Sequence, residues 1–384
     1  MAEEEEKKNI LFIVGLFEGH ITSTIKLVED LVSLGYNVVL YLLDEFAERY
    51  KNTGAKSIVF SIEPPDLSLD VKTLSDLIQI RSFEFILAQA QKDQGKYDYL
   101  LVDSIYDGKE INKIIKASAV ISIHTLQYVY FPDDFIKQVD EGMRQLITPL
   151  NKKYNINMKA DYEILSHPHS DYNLILTSKE FQSPKIKLDN SFYFIGPSSF
   201  EERPIDKSFP FKKDLNKKLI YISLGTVFTD NLYFFKMCIN AFGFSKEFQL
   251  IISVGKKFDI KIFGNLPENV YIYNFVPQQK IFKEADIFIS HGGLNSINER
   301  LLLCKKPIII VPQFADQFSN AEQIELFGAG IALKKETINE NILKNAVNSI
   351  IAEEEKYNKG VLKLVKTFEK AREERKSILK KILV

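Results

Sequence analysis

The sequence predicts an α/β protein made of two doubly wound domains in tandem. Three observations carry this expectation. Short, wholly apolar runs of strand length alternate with amphipathic helical stretches, the pattern of a parallel sheet covered on both faces. The pattern halts once, around residues 198–216, and then restarts. The length, 384 residues, is that of about two domains at ~100–200 residues each.

The elements follow in order. Ile10 to Val14 is the first strand, and Gly15 and Gly19 punctuate the loop after it. Ile21, Ile25, Val28, Leu31 and Val32 then recur at helical spacing, and "GYNVVLYLL" is the second strand. Such a strand–helix–strand unit makes a parallel crossover. "YDYLLVDS" and "AVISIHT" read as strands on either side of helical "GKEINKIIKAS", and "DYNLILTS" and "FYFIGP" close the first half. Pro197, Pro204, Pro210 and mixed charges then mark a linker. The expected boundaries are a first domain over 1–197, a linker over 198–216 and a second domain over 217–384. The second half repeats the architecture with strands "LIYISLGT", "FQLIISVG", "NVYIYNFVP", "ADIFISHGG" and "PIIIVPQ", and with helical "LNSINERLLLC" before the last of these. No period of the length that builds solenoids is present.

From Lys356 to Val384 there are ten Lys or Arg against three Glu. Val361, Leu364, Val365, Phe368, Ala371, Ile378, Leu379 and Ile382 form one helical stripe. Such a helix either lies on an anionic membrane or packs along the protein. The lack of interfacial aromatics beyond Phe368 favours packing.

Composition removes several classes. With 45% hydrophobic and 26% charged residues the chain is not globally disordered. Fifty Lys and Arg against 51 Asp and Glu give a net charge of −1, so nucleic acid is not an expected partner. Cys238 and Cys304 make neither a disulfide framework nor a zinc site. The start, "MAEEEEKK", is the opposite of a secretory leader, and no apolar run is long enough to form a transmembrane segment. A soluble, cytoplasmic protein is expected. The oligomeric state is not legible.

The second half carries the densest chemistry. His291-Gly292-Gly293 is the turn at the carboxyl end of strand "DIFIS", and a helix starts there. Ligands of open α/β sheets sit at that edge. Two glycines admit a ligand close to the backbone, and a helix N-terminus suits a phosphate. Asn295 and Ser296 add side-chain donors in the first turn. Glu299, three residues after Ser296, can accept from the two hydroxyls of a ribose. Asp316 and Gln317 follow the next strand as an acid–amide pair suited to sugar hydroxyls. Phe275 and Gln278, after an earlier strand, can stack on a base and read its edge. Each piece alone would be an ordinary turn or surface residue; their clustering at strand ends within one short window points to a site.

These residues resemble the nucleotide-sugar signature of the family 1 UDP-glycosyltransferases. The resemblance runs through "GHITSTIKL", "FYFIGP", "ISLGT", "FVPQ", "HGGLNS", "NER" and "ADQFSN", and is greatest to soluble bacterial members that glycosylate macrolides and flavonoids. It implies a GT-B fold, two Rossmann-like domains facing a cleft. It implies a UDP-sugar as donor substrate, with no further cofactor, and a small lipophilic acceptor. Phe275 and Gln278 would hold the uracil, although the family usually has Trp at the first place and this chain has none. His291, Asn295 and Ser296 would hold the diphosphate, helped by Thr226 and by the bare backbone at Gly293. Glu299 would hold the ribose, and Asp316 with Gln317 the transferred sugar. A glutamine at 317 points to glucose.

In the first half, His20 opens the first helix, where the positive end of the helix dipole keeps an imidazole neutral and able to take a proton. A carboxylate on its other nitrogen would orient it. Asp103, at the end of "YLLVDS", occupies the position of the family's partner acid, with Asp107 the second choice. His124 ends another strand and is placed on the acceptor side. His167 and His169 have metal-like spacing but no third ligand, so no metal site is expected. No D-x-D triplet occurs, and metal-independent, inverting transfer is the expectation. Rival readings are another GT-B enzyme acting on lipid-linked or cell-envelope substrates, or a non-catalytic sugar-nucleotide-binding partner subunit. The former expects a glycine-rich first loop, and "GLFEGH" has two glycines. The latter has no use for His20 and Asp103. Acceptor-contacting loops are expected at 60–81 and 131–158.

Overall fold

The computed structural model describes residues 7–62, 71–129, 133–166, 170–198, 209–225, 231–255 and 258–384. The chain divides into two compact units, residues 1–199 with 370–384, and residues 200–369.

The first unit contains β1 (Asn9–Ile13), α1 (Glu18–Ser33), β2 (Asn37–Leu43), α2 (Ala47–Tyr50), β3 (Lys56–Phe60), α3 (Val71–Lys92), β4 (Tyr99–Asp103), α4 (Gly108–Ile115), β5 (Ala119–His124), α5 (Asp133–Tyr154), α6 (Asp161–Ser166), β6 (Tyr172–Ile175) and β7 (Phe192–Phe194). Its strands lie in the order β3-β2-β1-β4-β5-β6-β7 and all pair in parallel. The order reverses between β1 and β4, where Ile13 faces Val102. The loops after these two strands leave in opposite directions and open a crevice at the carboxyl edge. Both sheet faces are covered. Leu11, Leu100 and Val102 join one core with α3 and α4, while Phe12, Leu101 and Ile121 join another with α1.

The second unit repeats this plan with β8 (Lys218–Ser223), α7 (Leu232–Phe242), β9 (Phe248–Ser253), β10 (Val270–Tyr273), α8 (Gln278–Glu284), β11 (Ile287–Ser290), α9 (Leu294–Cys304), β12 (Ile308–Ile310), α10 (Asp316–Leu326), β13 (Gly330–Ala332) and α11 (Glu340–Ala352). Its order is β10-β9-β8-β11-β12-β13, again parallel, and it reverses between β8 and β11. The expected α/β class and doubly wound topology are therefore both found.

α12 (Glu354–Ile382) closes the chain. Val361, Leu364, Val365, Phe368, Ala371, Leu379 and Ile382 are all buried, so the apolar stripe is already covered by protein. The sequence expectation placed this whole helix in the second domain. Residues 370–384 instead group with the first unit, because Leu379, Ile382 and Leu383 enter its core beside Ile10, Phe12 and Val28. Arg375, 2% exposed, fixes the attachment: its guanidinium donates to the carbonyls of Ile195, Gly196 and Pro197 at 2.8, 3.1 and 2.6 Å, and meets Asp30 at 3.2 Å.

Three further differences have physical causes. Much of the 60–81 and 131–158 segments, expected as loops, is helix in α3 and α5. In α3 the apolar residues Leu77, Ile78, Ile80, Phe83, Phe85, Ile86 and Leu87 fall all round the helix, so no stripe announces it. β3 is an edge strand with mixed burial, and β13 is three residues long; neither leaves a strong pattern. Residues 199–208 of the expected linker, and His167, His169 and Thr226, lie outside the described residues. Among the described residues no helix is long and apolar enough to cross a membrane.

Candidate active site

In the first unit the site forms at the switch point of the sheet. His20 is the third residue of α1 and Asp103 the last of β4. Their side chains meet, His20 Nδ1 to Asp103 Oδ2, at 2.8 Å. Asp103 is fully buried, whereas the His20 side chain keeps 13% of its surface. A carboxylate can only accept, so the His20 ring donates to it from Nδ1. The other carboxylate oxygen accepts from the Ile105 amide at 3.2 Å, which anchors the acid. Gly15 makes the encounter possible. A Cβ there would lie 2.6 Å from Asp103 Oδ2 and 2.7 Å from His20 Cβ.

The structure separates the remaining candidates of this half. Asp107 caps α4, accepting from Glu110 N at 3.3 Å and from Lys159 N at 3.3 Å. It thus serves as the cap of α4. His124 is buried, with Nε2 3.2 Å from Asn173 Oδ1 and its ring edge-on to Tyr128. Burial lowers its pKa, so it stays neutral. Its neighbour Thr125, which sequence reasoning passed over, places Oγ1 3.1 Å from His20 Nδ1. Only the pairing of β4 with β5 brings that hydroxyl to the site, and nothing in the local sequence signals it.

In the second unit the turn His291-Gly292-Gly293 again sits at the switch point, at the end of β11. Gly292 has φ 87°, a conformation glycine takes without penalty. Gly293 is the N-cap of α9 and brings no side-chain cap, so the first-turn amides have no capping oxygen from it. The His291 ring is packed between two bare backbones: a Cβ on Gly225 would lie 2.7 Å from it, and one on Gly293 2.5 Å. Burial drives its pKa down to about 4, against a hydrogen bond to the Ser223 main chain that acts the other way. The ring is therefore neutral at physiological pH. Asn295 and Ser296 lie in the first turn of α9.

Glu299 is 3% exposed, and two amides hold it. Gln278 donates to Oε2 at 2.8 Å and Gln279 to Oε1 at 3.3 Å. Tyr221 donates to Gln278 Oε1 at 3.2 Å. Gln278 thus joins the acid expected to hold a ribose. Phe275 is 49% exposed. Asp316 and Gln317 begin α10 at the end of β12. Gln317 Oε1 accepts from the amides of Gln313 and Phe314 at 2.8 and 3.1 Å, so the side chain fastens its own loop. Asp316 Oδ2 accepts from Asn320 at 2.8 Å. Arg300, in the "NER" segment, is structural: fully buried, it donates to the carbonyls of Phe282, Ala285 and Asp286.

Two parallel α/β units, each with chemistry at its switch point, define the class of protein: a nucleotide-sugar glycosyltransferase. The family comparison agrees. Residues 138–372 match the model of the UDP-glucoronosyl and UDP-glucosyl transferase family. The chain belongs to this family. It is 31% identical to an NDP-glycosyltransferase, YjiC, of Bacillus licheniformis, over 86% of each chain. It is 24% identical to the oleandomycin glycosyltransferase of Streptomyces antibioticus, over 88% of this chain and 82% of that one. The crystal structure of the glycosyltransferase of kitacinnamycin superimposes with a TM-score of 0.76 at 21% identity, covering 96% of each chain, and so shares the GT-B fold.

Proposed function

We propose that this glycosyltransferase moves a hexose, glucose in the first instance, from UDP to a hydroxyl of a small lipophilic acceptor with inversion at the anomeric carbon. The single observation that carries the proposal is the His20–Asp103 pair at 2.8 Å, at the switch point of its sheet. With Nδ1 turned to Asp103, Nε2 of the neutral ring serves as the base in this reading. His20 takes the proton of the acceptor hydroxyl, and Asp103 stabilises the imidazolium that results. The oxygen forms a bond to the anomeric carbon as the bond from that carbon to UDP breaks on the opposite face. The leaving diphosphate is received by the N-terminus of α9, with His291, Gly293, Asn295 and Ser296 around it. Glu299 holds the ribose, Phe275 and Gln278 hold the uracil, and Asp316 with Gln317 holds the sugar. The acceptor in the name of the oleandomycin glycosyltransferase supports a small-molecule acceptor here.

The test is turnover of the purified protein with UDP-glucose and a panel of flavonoid and macrolide acceptors, read by product mass spectrometry, with and without EDTA. Product is expected in both conditions. His20→Ala is expected to lower turnover ~10²–10⁴-fold with UDP affinity nearly unchanged. Unchanged turnover would remove the base assignment.

A further inference from the structure

We infer that Asn320 is a positioning residue of the donor site, whose single amide group ties the diphosphate-facing turn to the sugar-facing acid. Asn320 is fully buried on α10, one helical turn after Asp316. Its Nδ2 donates to Asp316 Oδ2 at 2.8 Å and to the Gly292 carbonyl at 2.9 Å. Both hydrogens of the amide are spent, one on the loop after β12 and one on the turn after β11.

The surroundings make this tie necessary. Gly292 lies hard against the end of β12, since a Cβ there would lie 2.5 Å from Ile310 Cγ2. Ala315, which leads into α10, has φ 50° and ψ −126°, a backbone state that a residue with a Cβ adopts only when its neighbours hold it there. The start of α10 is therefore under load, and the Asn320 amide is one of the bonds that keeps Asp316 facing the His291 turn. A carboxylate held by a fixed donor presents its remaining capacity in one direction, which is what discrimination between sugar hydroxyls requires. If Asp316 serves the sugar and not the nucleotide, loss of the tie should be felt by the sugar and hardly by UDP alone.

The inference rests on the reading that Asp316 holds the transferred sugar, and the experiment separates the two. UDP and UDP-glucose affinities are measured by calorimetry, and kcat and KM by turnover, for Asn320→Ala, Asn320→Asp and Asp316→Ala. Thermal unfolding confirms which variants are folded, and the charge-bearing but isosteric Asn320→Asp stands in if Asn320→Ala does not fold. Expected for Asn320→Ala are a roughly tenfold loss of UDP-glucose affinity, UDP affinity within about twofold, and a reduced preference for UDP-glucose over UDP-galactose. Equal weakening of UDP and UDP-glucose would make Asn320 merely structural and overturn the inference. So would unchanged UDP-glucose affinity in both Asn320 variants while Asp316→Ala loses it. If Asp316→Ala itself binds UDP-glucose normally, the sugar-holding reading fails, and the inference with it.

Discussion

Asp103 can stand 2.8 Å from His20 because residue 15 has no side chain. Gly15→Ala would drive a methyl into both partners. The expected result is a stability loss of ~1–3 kcal/mol by overpacking, together with a fall in kcat well beyond what the stability change explains. Chemical denaturation and turnover on the same preparation check it. His291 supports a second expectation at this scale. Its pKa is depressed from 6.5 to about 4 by burial. Above pH 6.5 the ring is neutral in both folded and unfolded chains and stability is unaffected. As pH falls from 6.5 toward 4, the unfolded chain gains a proton that the folded chain refuses, and stability declines. His291→Asn should flatten this part of the curve of melting temperature against pH; a variant with the unchanged wild-type slope would refute the assignment.

Among the elements, α10 starts from a strained backbone. Ala315 at φ 50° and ψ −126° costs on the order of 1–3 kcal/mol. Ala315→Gly removes that strain and loses ~0.4–1 kcal/mol through the freer unfolded chain. The expected net is a stabilisation of about 1 kcal/mol, read as a higher denaturation midpoint. The relaxed loop should also hold Asp316 and Gln317 less firmly and raise the KM for UDP-sugar. A lower midpoint would mean that the strain is fully offset by contacts of the Ala315 methyl.

For the whole molecule, residues 370–384 are part of the first unit's core although they come last in the chain. Removing them would strip Leu379, Ile382 and Leu383 from beside Phe12 and Val28, and take Arg375 from Asp30, which keeps Lys26 at 3.3 Å. The apolar faces of the first unit that these residues cover would be opened to water. A chain truncated after residue 369 is therefore expected to lose cooperative unfolding of the first unit, as followed by circular dichroism and limited proteolysis. A truncated protein that melts like the full chain would show that the attachment contributes little.

What the sequence determined by itself was whatever is written locally. The parallel strands announced themselves as short apolar runs, because a strand buried on both faces has no alternation to hide it. The His291-Gly292-Gly293 turn was legible because it follows a strand directly, and Glu299, Asp316 and Gln317 because they lie in the helices that begin just beyond strand ends, where such sheets place ligands. His20 was legible for the same reason, and Asp103 through its place at the end of β4. The tertiary structure alone decided what depends on elements far apart in the chain. Asn320 could not be separated from any helix residue until β11 and β12 brought the Gly292 carbonyl within 2.9 Å of it. Thr125 became a neighbour of His20 through the pairing of β4 with β5, and Asp107 was seen to cap α4. The terminal helix looked like a possession of the second domain, since chain order was the only guide. Its last turns settled into the first unit because that is where an apolar face and the carbonyls of Ile195, Gly196 and Pro197 were available to Arg375.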